Sequence, residues 1–72
     1  MRVYAQLADG TILERGMAVK TFRGEPVEYI GCEYRGPGSE GRVFVSIKRK
    51  DGSDYVMSYF PSVIDAKVIK EP

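Results

Sequence analysis

The chain has 72 residues, of which 43% are hydrophobic and 29% are charged, and its net charge is +1 at pH 7. Single cores commonly occupy roughly 100–150 residues, so we expect one domain over residues 1–72. This composition argues against disorder, and the balanced charge gives no global attraction to nucleic acid or to an anionic membrane. Eight glycines and four prolines punctuate the chain. Short alternating runs between such turns predict an all-β fold.

Cys32 is the only cysteine, which excludes an internal disulfide and a zinc cluster built within one chain. A lone thiol suits a reducing compartment. No apolar run approaches the ~20 residues that span a bilayer, and the start "MRVYAQLADG" lacks a signal-peptide segment. We therefore expect a bacterial or viral cytoplasmic protein without a membrane role.

The first third of the chain predicts short extended pieces. In the first run, Val3, Ala5 and Leu7 share one face, and Asp9-Gly10 then gives a tight hairpin signal. The extended pieces predicted here cover residues 2–8, 11–16 and 17–22.

The stretch "KTFRGEPVEYI" at 20–30 predicts a diverging turn, from which two strands leave at an angle. Gly24 can adopt positive φ, and Pro26 fixes φ for the next strand. Glu25 can accept hydrogen bonds from backbone amides that the bend leaves free. We interpret the bend as scaffold, the alternative being that Arg23 and Glu25 contact a partner.

The rest of the chain continues the same pattern. In 27–34 the alternation breaks at Ile30-Gly31, which predicts a bulge or sharp bend, with Ile30, Cys32 and Tyr34 on one face. The cleanest strand is "RVFVSIK", with Val43, Val45 and Ile47 facing inward. The predicted order is strand 27–34, loop 36–41, strand 42–48, turn 50–53, strand 54–60, helical turn 61–65 and strand 66–70.

The order of these motifs resembles the Src-homology-3-like barrel. That fold carries a "[ST]-F-x-x-G-[DE]" diverging turn, a variable loop, a distal hairpin and a "P-S" helical turn before its last strand. The chain shows "TFRGE" at 21–25, "GPGSEG" at 36–41, "KDG" at 50–52 and "FPSVIDAKVI" at 60–69. The resemblance implies a five-stranded small barrel with one short helical turn near 61–65.

The chain departs from the peptide-binding members of that family. It has no tryptophan, and "VYAQLADG" is not their aromatic first strand, so a groove for proline-rich helices is not expected. The pattern "TFRGE … GRVFV … DG … YFPSVID" also resembles small, mostly uncharacterised proteins of bacteriophages and prophages.

An enzymatic function is not expected, and neither a cofactor nor a small-molecule substrate is evident. The chain has no histidine, the commonest general base and metal ligand. Cys32 lies mid-strand, where a small core residue is more typical than a nucleophile. The carboxylates are scattered in a manner typical of a solvated face: Glu25, Glu28, Glu33 and Glu40.

The hairpin 42–60 allows two registers, because Asp51-Gly52 can form a two-residue loop or end a three-residue loop with a bulge. In the first, Ile47 faces Val56, Val43 faces Phe60, and Phe44 lies beside Tyr59. In the second, Val43, Val45 and Ile47 meet Tyr59, Met57 and Tyr55, and Phe44 shares a face with Val56, Ser58 and Phe60. We prefer the first register, which buries Phe60 beside the "PS" turn as the barrel resemblance implies.

Either register leaves Phe44 pointing away from Val43 and Val45, beside Arg42, Ser46 and Lys48. Segment 8–20 could fold over this face and bury it. Alternatively, the face is an exposed apolar patch with basic edges, used for a protein partner or for self-association. The predicted partner-binding residues are Arg42, Phe44, Lys48, Arg49 and Tyr59.

The sequence thus predicts a non-enzymatic protein-interaction module, an accessory protein of a phage or prophage. The alternative is a nucleic-acid-binding barrel, in which aromatic rings stack on bases while basic side chains hold phosphates. That alternative would use Arg42, Phe44, Lys48, Arg49 and Lys50. The run "KRKDG" at 48–52 is equally compatible with a solvated hairpin tip.

Overall fold

The computed structural model describes residues 2–72 and is all-β. Met1, the first residue of the predicted domain 1–72, lies outside the described residues. The one helical element is a 3₁₀ turn at Pro61–Ile64, which confirms the helical turn predicted near 61–65. The strands are β1 (Arg2–Leu7), β2 (Ala18–Lys20), β3 (Pro26–Glu33), β4 (Arg42–Lys48), β5 (Asp54–Tyr59) and β6 (Ala66–Glu71).

The strands form two antiparallel sheets. The chain's first and last strands, β1 and β6, make a two-stranded sheet, and the other sheet has the order β2-β3-β4-β5. Within residues 2–72, no strand ladder joins one sheet to the other, so they do not close into a barrel. The structure therefore differs from the prediction of five strands in one closed barrel.

The predicted strand at 11–16 is wrong. Leu7 and Thr11 are joined across the Asp9-Gly10 turn, and only Ile12 bridges to Gln6. A second turn follows at once, because the Met17 N–H donates to the Glu14 carbonyl. Two turns this close leave no room for a ladder. The piece predicted at 17–22 shortens to the three residues of β2.

The core lies between the two sheets, and alternate residues of the strands contribute their side chains to it. Val43 and Val45 of β4 are fully buried, as the alternation of that strand predicts, whereas Ile47 is only half-buried and packs at the margin. The buried hydrophobic residues are Ala5, Leu13, Val19, Val27, Tyr29, Val43, Val45, Ile64 and Ala66.

The diverging turn is held by its own backbone. Gly24 has φ +80°, and its N–H donates to the Thr21 carbonyl. The side-chain acceptor is the Thr21 hydroxyl, which receives the Glu25 N–H at 3.3 Å. The sequence predicts the Glu25 carboxylate as the acceptor. Instead, the hydroxyl of Thr21, at the start of the bend, accepts the hydrogen bond from the Glu25 backbone N–H. The Phe22 N–H fixes the turn to the 3₁₀ helix through the Val63 carbonyl.

A β-bulge interrupts β3 where the sequence predicts one. The register against β4 shifts between Tyr29 and Gly31, so Tyr29 lies opposite Val45 and Gly31 opposite Phe44. The extra residue shifts by one position the alternation of β3 side chains between the two faces of the sheet. Cys32 therefore turns inward opposite Val43 and packs against the core, and the prediction that it shares a face with Ile30 is wrong.

Candidate functional site

The register of the β4–β5 hairpin is set by a three-residue loop. The Gly52 N–H donates to the Arg49 carbonyl, and the Arg49 N–H donates to the Ser53 carbonyl. Gly52 has φ +90°, the conformation that closes a type I turn with a one-residue bulge. Asp51 Oδ1 secures the loop by accepting the Ser53 N–H and hydroxyl at 2.9 and 2.6 Å.

This loop gives the second of the two open registers. Val45 lies opposite Met57 and Val43 opposite Tyr59, while Phe44 lies opposite Ser58. The preferred first register, which placed Val43 opposite Phe60, is wrong. The first register was preferred because it buries Phe60 beside the 3₁₀ turn, but Phe60 is 50% exposed.

One side of this hairpin is the outer face of the four-stranded sheet. Phe44 is half-buried there, whereas Val56 is 62% exposed. Ile30, the unpaired residue of the β3 bulge, is half-buried but is not among the hydrophobic side chains that pack against the core, so we assign it to this side. We call this set the outer apolar patch: Ile30, Phe44, Val56 and Phe60.

Segment 8–20 does not cover the outer apolar patch. Its Leu13 N–H donates to the Ala5 carbonyl, and its Gly16 N–H donates to the Tyr29 carbonyl. The segment thus runs along β1 and along the edge of β3 that faces away from β4. Leu13 and Val19 are buried there against the core. The open alternative, a face buried by 8–20, is therefore wrong.

The five predicted partner-binding residues do not form one surface. Arg42, Phe44 and Lys48 alternate on the outer face of β4. Tyr59 lies opposite Val43, packs against the core and so belongs to the inner face. Arg49 lies at the hairpin tip with its guanidinium carbon 4.5 Å from the ring centre of Tyr55, whose partner is inward-facing Ile47.

Charges around the outer apolar patch are mixed in sign. Arg42 has Glu33 of β3 as its cross-strand neighbour, and Lys48 has Asp54 of β5. The Arg42 guanidinium carbon also lies 4.1 Å from the ring centre of Phe60, a cation–π distance. Arg42 and Lys48 therefore each have an acidic cross-strand neighbour, an arrangement better matched to a polar protein surface than to a row of phosphates.

One exposed aromatic residue outside the outer apolar patch was not predicted from the sequence. Phe22 of the diverging turn is 73% exposed, and its neighbour Arg23 lies 5.5 Å from its ring centre. Phe22 lines a small pocket together with Tyr59 and Val63. The motif "TF" at 21–22 marked the turn, but nothing in the local pattern distinguishes an exposed ring from a buried one.

Two titratable groups of β3 lie in or against the core, Tyr29 and Cys32. Burial, with the Cys32 thiol close by, raises the pKa of Tyr29 far above its ordinary value. Tyr29 is therefore protonated at any physiological pH, and its phenol acts as a core group. Among residues 2–72 no three His, Cys, Asp or Glu side chains come together in a way that could hold a metal ion.

No protein-family model matches the chain, and neither the curated proteins nor the solved structures contain a significant match. In the part of the chain that the structure describes, no helix has the length and apolar character needed to cross a membrane.

Proposed function

We propose that this chain is a non-enzymatic protein-interaction module that uses the outer apolar patch. The observation that carries the proposal is the exposure of Val56 and Phe60 beside Phe44 on a regular sheet. Exposed apolar side chains that lie together on a small domain, rimmed by charges, are typical of interaction sites. Arg42 supplies the kind of cationic rim residue that is enriched at interfaces.

The proposed fold family is the Src-homology-3-like barrel. Three features support it: the diverging turn at 21–25, the sheet β3-β4-β5, and the 3₁₀ turn before a last strand that pairs with β1. The family's peptide groove is not part of the proposal, since the chain lacks tryptophan. A phage or prophage accessory role rests on the motif resemblance alone, and the free thiol of Cys32 suits a cytoplasmic setting.

The alternative function is nucleic-acid binding by the same face. Arg42 and Lys48 flank Phe44 along β4, which gives the alternation of ring and cation that single-stranded bases and phosphates require. The acidic cross-strand neighbours Glu33 and Asp54 weigh against it, because they repel phosphates.

Site-specific photocrosslinking tests the proposal. A photoreactive residue replaces Val56 in the whole chain, and in a matched control it replaces Ala18, exposed on β2 of the same sheet face. In cells that express the chain, we expect a discrete protein adduct from position 56, absent from position 18 and lost on adding Phe44→Ser. Equal labelling at both positions, or none at position 56, contradicts the proposal.

A fluorescent single-stranded oligonucleotide distinguishes the alternative. Phosphate contacts release counterions, so binding through Arg42, Lys48, Arg49 and Lys50 would weaken steeply with added salt. We expect no saturable binding by the purified chain even at low salt. Salt-sensitive binding that is lost in Phe44→Ser would favour the nucleic-acid function over the protein-interaction function.

A further inference from the structure

The strand β5 is the last strand of the four-stranded sheet, and one of its edges is free. Arg49 and Ser53 are hydrogen-bonded to each other, so Ile47–Tyr55, Val45–Met57 and Val43–Tyr59 are the hydrogen-bonded pairs that follow along the ladder. The intervening residues of β5 direct their N–H and C=O groups away from β4. These residues are Asp54, Val56 and Ser58.

This free edge lacks the features with which proteins protect sheet edges. The stretch "DYVMSYF" at 54–60 contains no lysine, arginine or proline, and its one charge is Asp54 at the start. The opposite edge strand, β2, is three residues long and carries the exposed Lys20. Within residues 2–72, the β5 edge is thus the only one of the two edges of the four-stranded sheet that offers a continuous length of mostly uncharged backbone.

Exposed apolar side chains lie on both faces of β5. Val56 is on the outer face, and Phe60 follows at the end of the strand, whereas Met57 is on the inner side and 37% exposed. A partner bound to the outer face alone would leave Met57 exposed to solvent. A strand added beside β5 covers both faces at once, because its side chains also alternate between the two sides.

We propose that β5 pairs antiparallel with β5 of a second copy of this chain, joining the two four-stranded sheets into one. The inference rests on the proposed function, since it names the partner of the same surface. With the two-fold axis at Met57, Val56 of each copy lies opposite Ser58 of the other, and Asp54 lies opposite Phe60. On the outer face the valine and phenylalanine of both copies then form one apolar strip.

Charge complementarity favours a second copy in this register. The Arg42 guanidinium carbon lies 4.1 Å from the ring centre of Phe60, just beyond the last register pair Val43–Tyr59, so the positive charge of Arg42 lies beside the end of β5. Neighbouring strands lie about 5 Å apart, so Asp54 of one copy comes next to Phe60 and Arg42 of the other. The two-fold axis makes this opposite-charge contact twice. The net charge of +1 adds little repulsion between copies.

The expected dimer is weak. A pairing along one six-residue strand falls at the small end of specific interfaces, below about 1,200 Å² in total. Interfaces of this size are typical of weak and transient contacts, so we expect a dimer that forms and dissociates with concentration.

Sedimentation equilibrium of the purified full chain from low micromolar to millimolar concentration tests the inference. We expect a monomer–dimer equilibrium that Val56→Lys weakens by at least about tenfold, since a lysine beside the paired edge opposes strand addition. Ser58→Pro removes an edge donor and should do the same. The matched control Ala18→Lys, on the outer face of β2, should leave the equilibrium unchanged.

A charge swap tests the register. Asp54→Arg alone places two arginines together in its own dimer, and Arg42→Asp alone places two aspartates together, so each variant should be largely monomeric. An equimolar mixture restores opposite charges at both contacts and should recover heterodimers at about the wild-type affinity. Failure of the mixture to associate while the wild type dimerises contradicts this register.

Thermal unfolding of each variant establishes whether that variant is folded. If Ser58→Pro does not fold, Val56→Lys still tests the inference, because it changes an exposed side chain. A wild type that stays monomeric at every concentration overturns the inference, as does a dimer indifferent to Val56→Lys. A crosslinked adduct at position 56 with a different protein would then still support the proposed function.

Discussion

The two faces of the β4–β5 hairpin both carry large apolar side chains, but these side chains have opposite environments. Val43 and Val45 on the inner face are completely buried, whereas Val56 on the outer face is mostly in solvent. Every inner position of the two strands is apolar, whereas the outer positions alternate between apolar side chains, such as Phe44 and Val56, and polar or charged ones. Hydrophobic alternation therefore identifies the inner face of β4, but it does not decide whether the apolar side chains on the outer face are covered by other parts of the chain.

The rest of the chain makes that decision. The sheet of β1 and β6, segment 8–20 and the 3₁₀ turn all supply side chains to the inner side: Ala5, Leu13, Ile64 and Ala66. On the outer side, Val56 and Phe60 stay exposed in the structure of residues 2–72. Because one hairpin contains both a packed and an uncovered apolar face, matched substitutions on it separate stability from binding.

The largest difference is expected between Val45→Ala and Val56→Ala. Removing two carbons from a fully buried valine should lower the free energy of unfolding by about 2–3 kcal/mol, from lost burial and the cavity that remains. At exposed Val56 the same change should cost less than about 0.5 kcal/mol. Urea unfolding followed by circular dichroism measures both. Similar losses at the two positions would mean that the outer face is packed against something in the free chain.

Phe44→Ser should have an intermediate effect of about 1–2 kcal/mol. The ring is half-buried among its sheet neighbours, so it contributes part of a core phenylalanine's burial, for which truncation costs about 3–5 kcal/mol. Phe44→Leu, which keeps an apolar side chain, is the matched control and should lose less than half as much. A loss above about 3 kcal/mol for the serine variant would place Phe44 in the core and remove it from the outer apolar patch.

Much of the fold was predictable because strand and turn signals are local. Alternation identified β4 as Arg42–Lys48, proline followed by serine marked the 3₁₀ turn, and glycine at the phase change marked the bulge in β3. The strand predicted at 11–16 failed because hydrogen bonds from two adjacent turns, at Gly10 and Met17, compete with any ladder there. How the sheets associate depends on long-range packing that local patterns do not contain.

The candidate site was predictable only in part, and the reason is the hairpin loop. One extra loop residue exchanges the faces of β5. A two-residue loop would have placed Tyr59 beside Phe44 on the outer face. The observed three-residue loop turns Tyr59 inward and places Val56 and Phe60 outward. Arg42 and Phe44 keep their predicted face because they precede the loop on the same strand.

The smallest expected effect is a change in the pKa of Asp51, which lies in the loop that fixes the hairpin register. The Ser53 hydroxyl and the Ser53 backbone N–H both donate to the Asp51 carboxylate, and these two bonds lower the pKa of Asp51 from its ordinary value. A lowered pKa in the folded state means that the ionised carboxylate stabilises the fold. That contribution is present above the pKa of the unfolded chain and is lost as the pH falls through the pKa of the folded chain.

We therefore expect Ser53→Ala to raise the pKa of Asp51 towards the ordinary value without reaching it, since the backbone N–H still donates. Asp9 is the internal control. Its pKa is lowered in the same way, first by the backbone N–H of Thr11, in a loop that the substitution does not touch. Carboxyl chemical shifts measured by NMR across acidic pH report both groups. If the pKa of Asp51 is unchanged in Ser53→Ala, the hydroxyl does not hold this carboxylate, and the three-residue loop is fixed by the Ser53 backbone N–H, the Arg49 backbone and Gly52 without it.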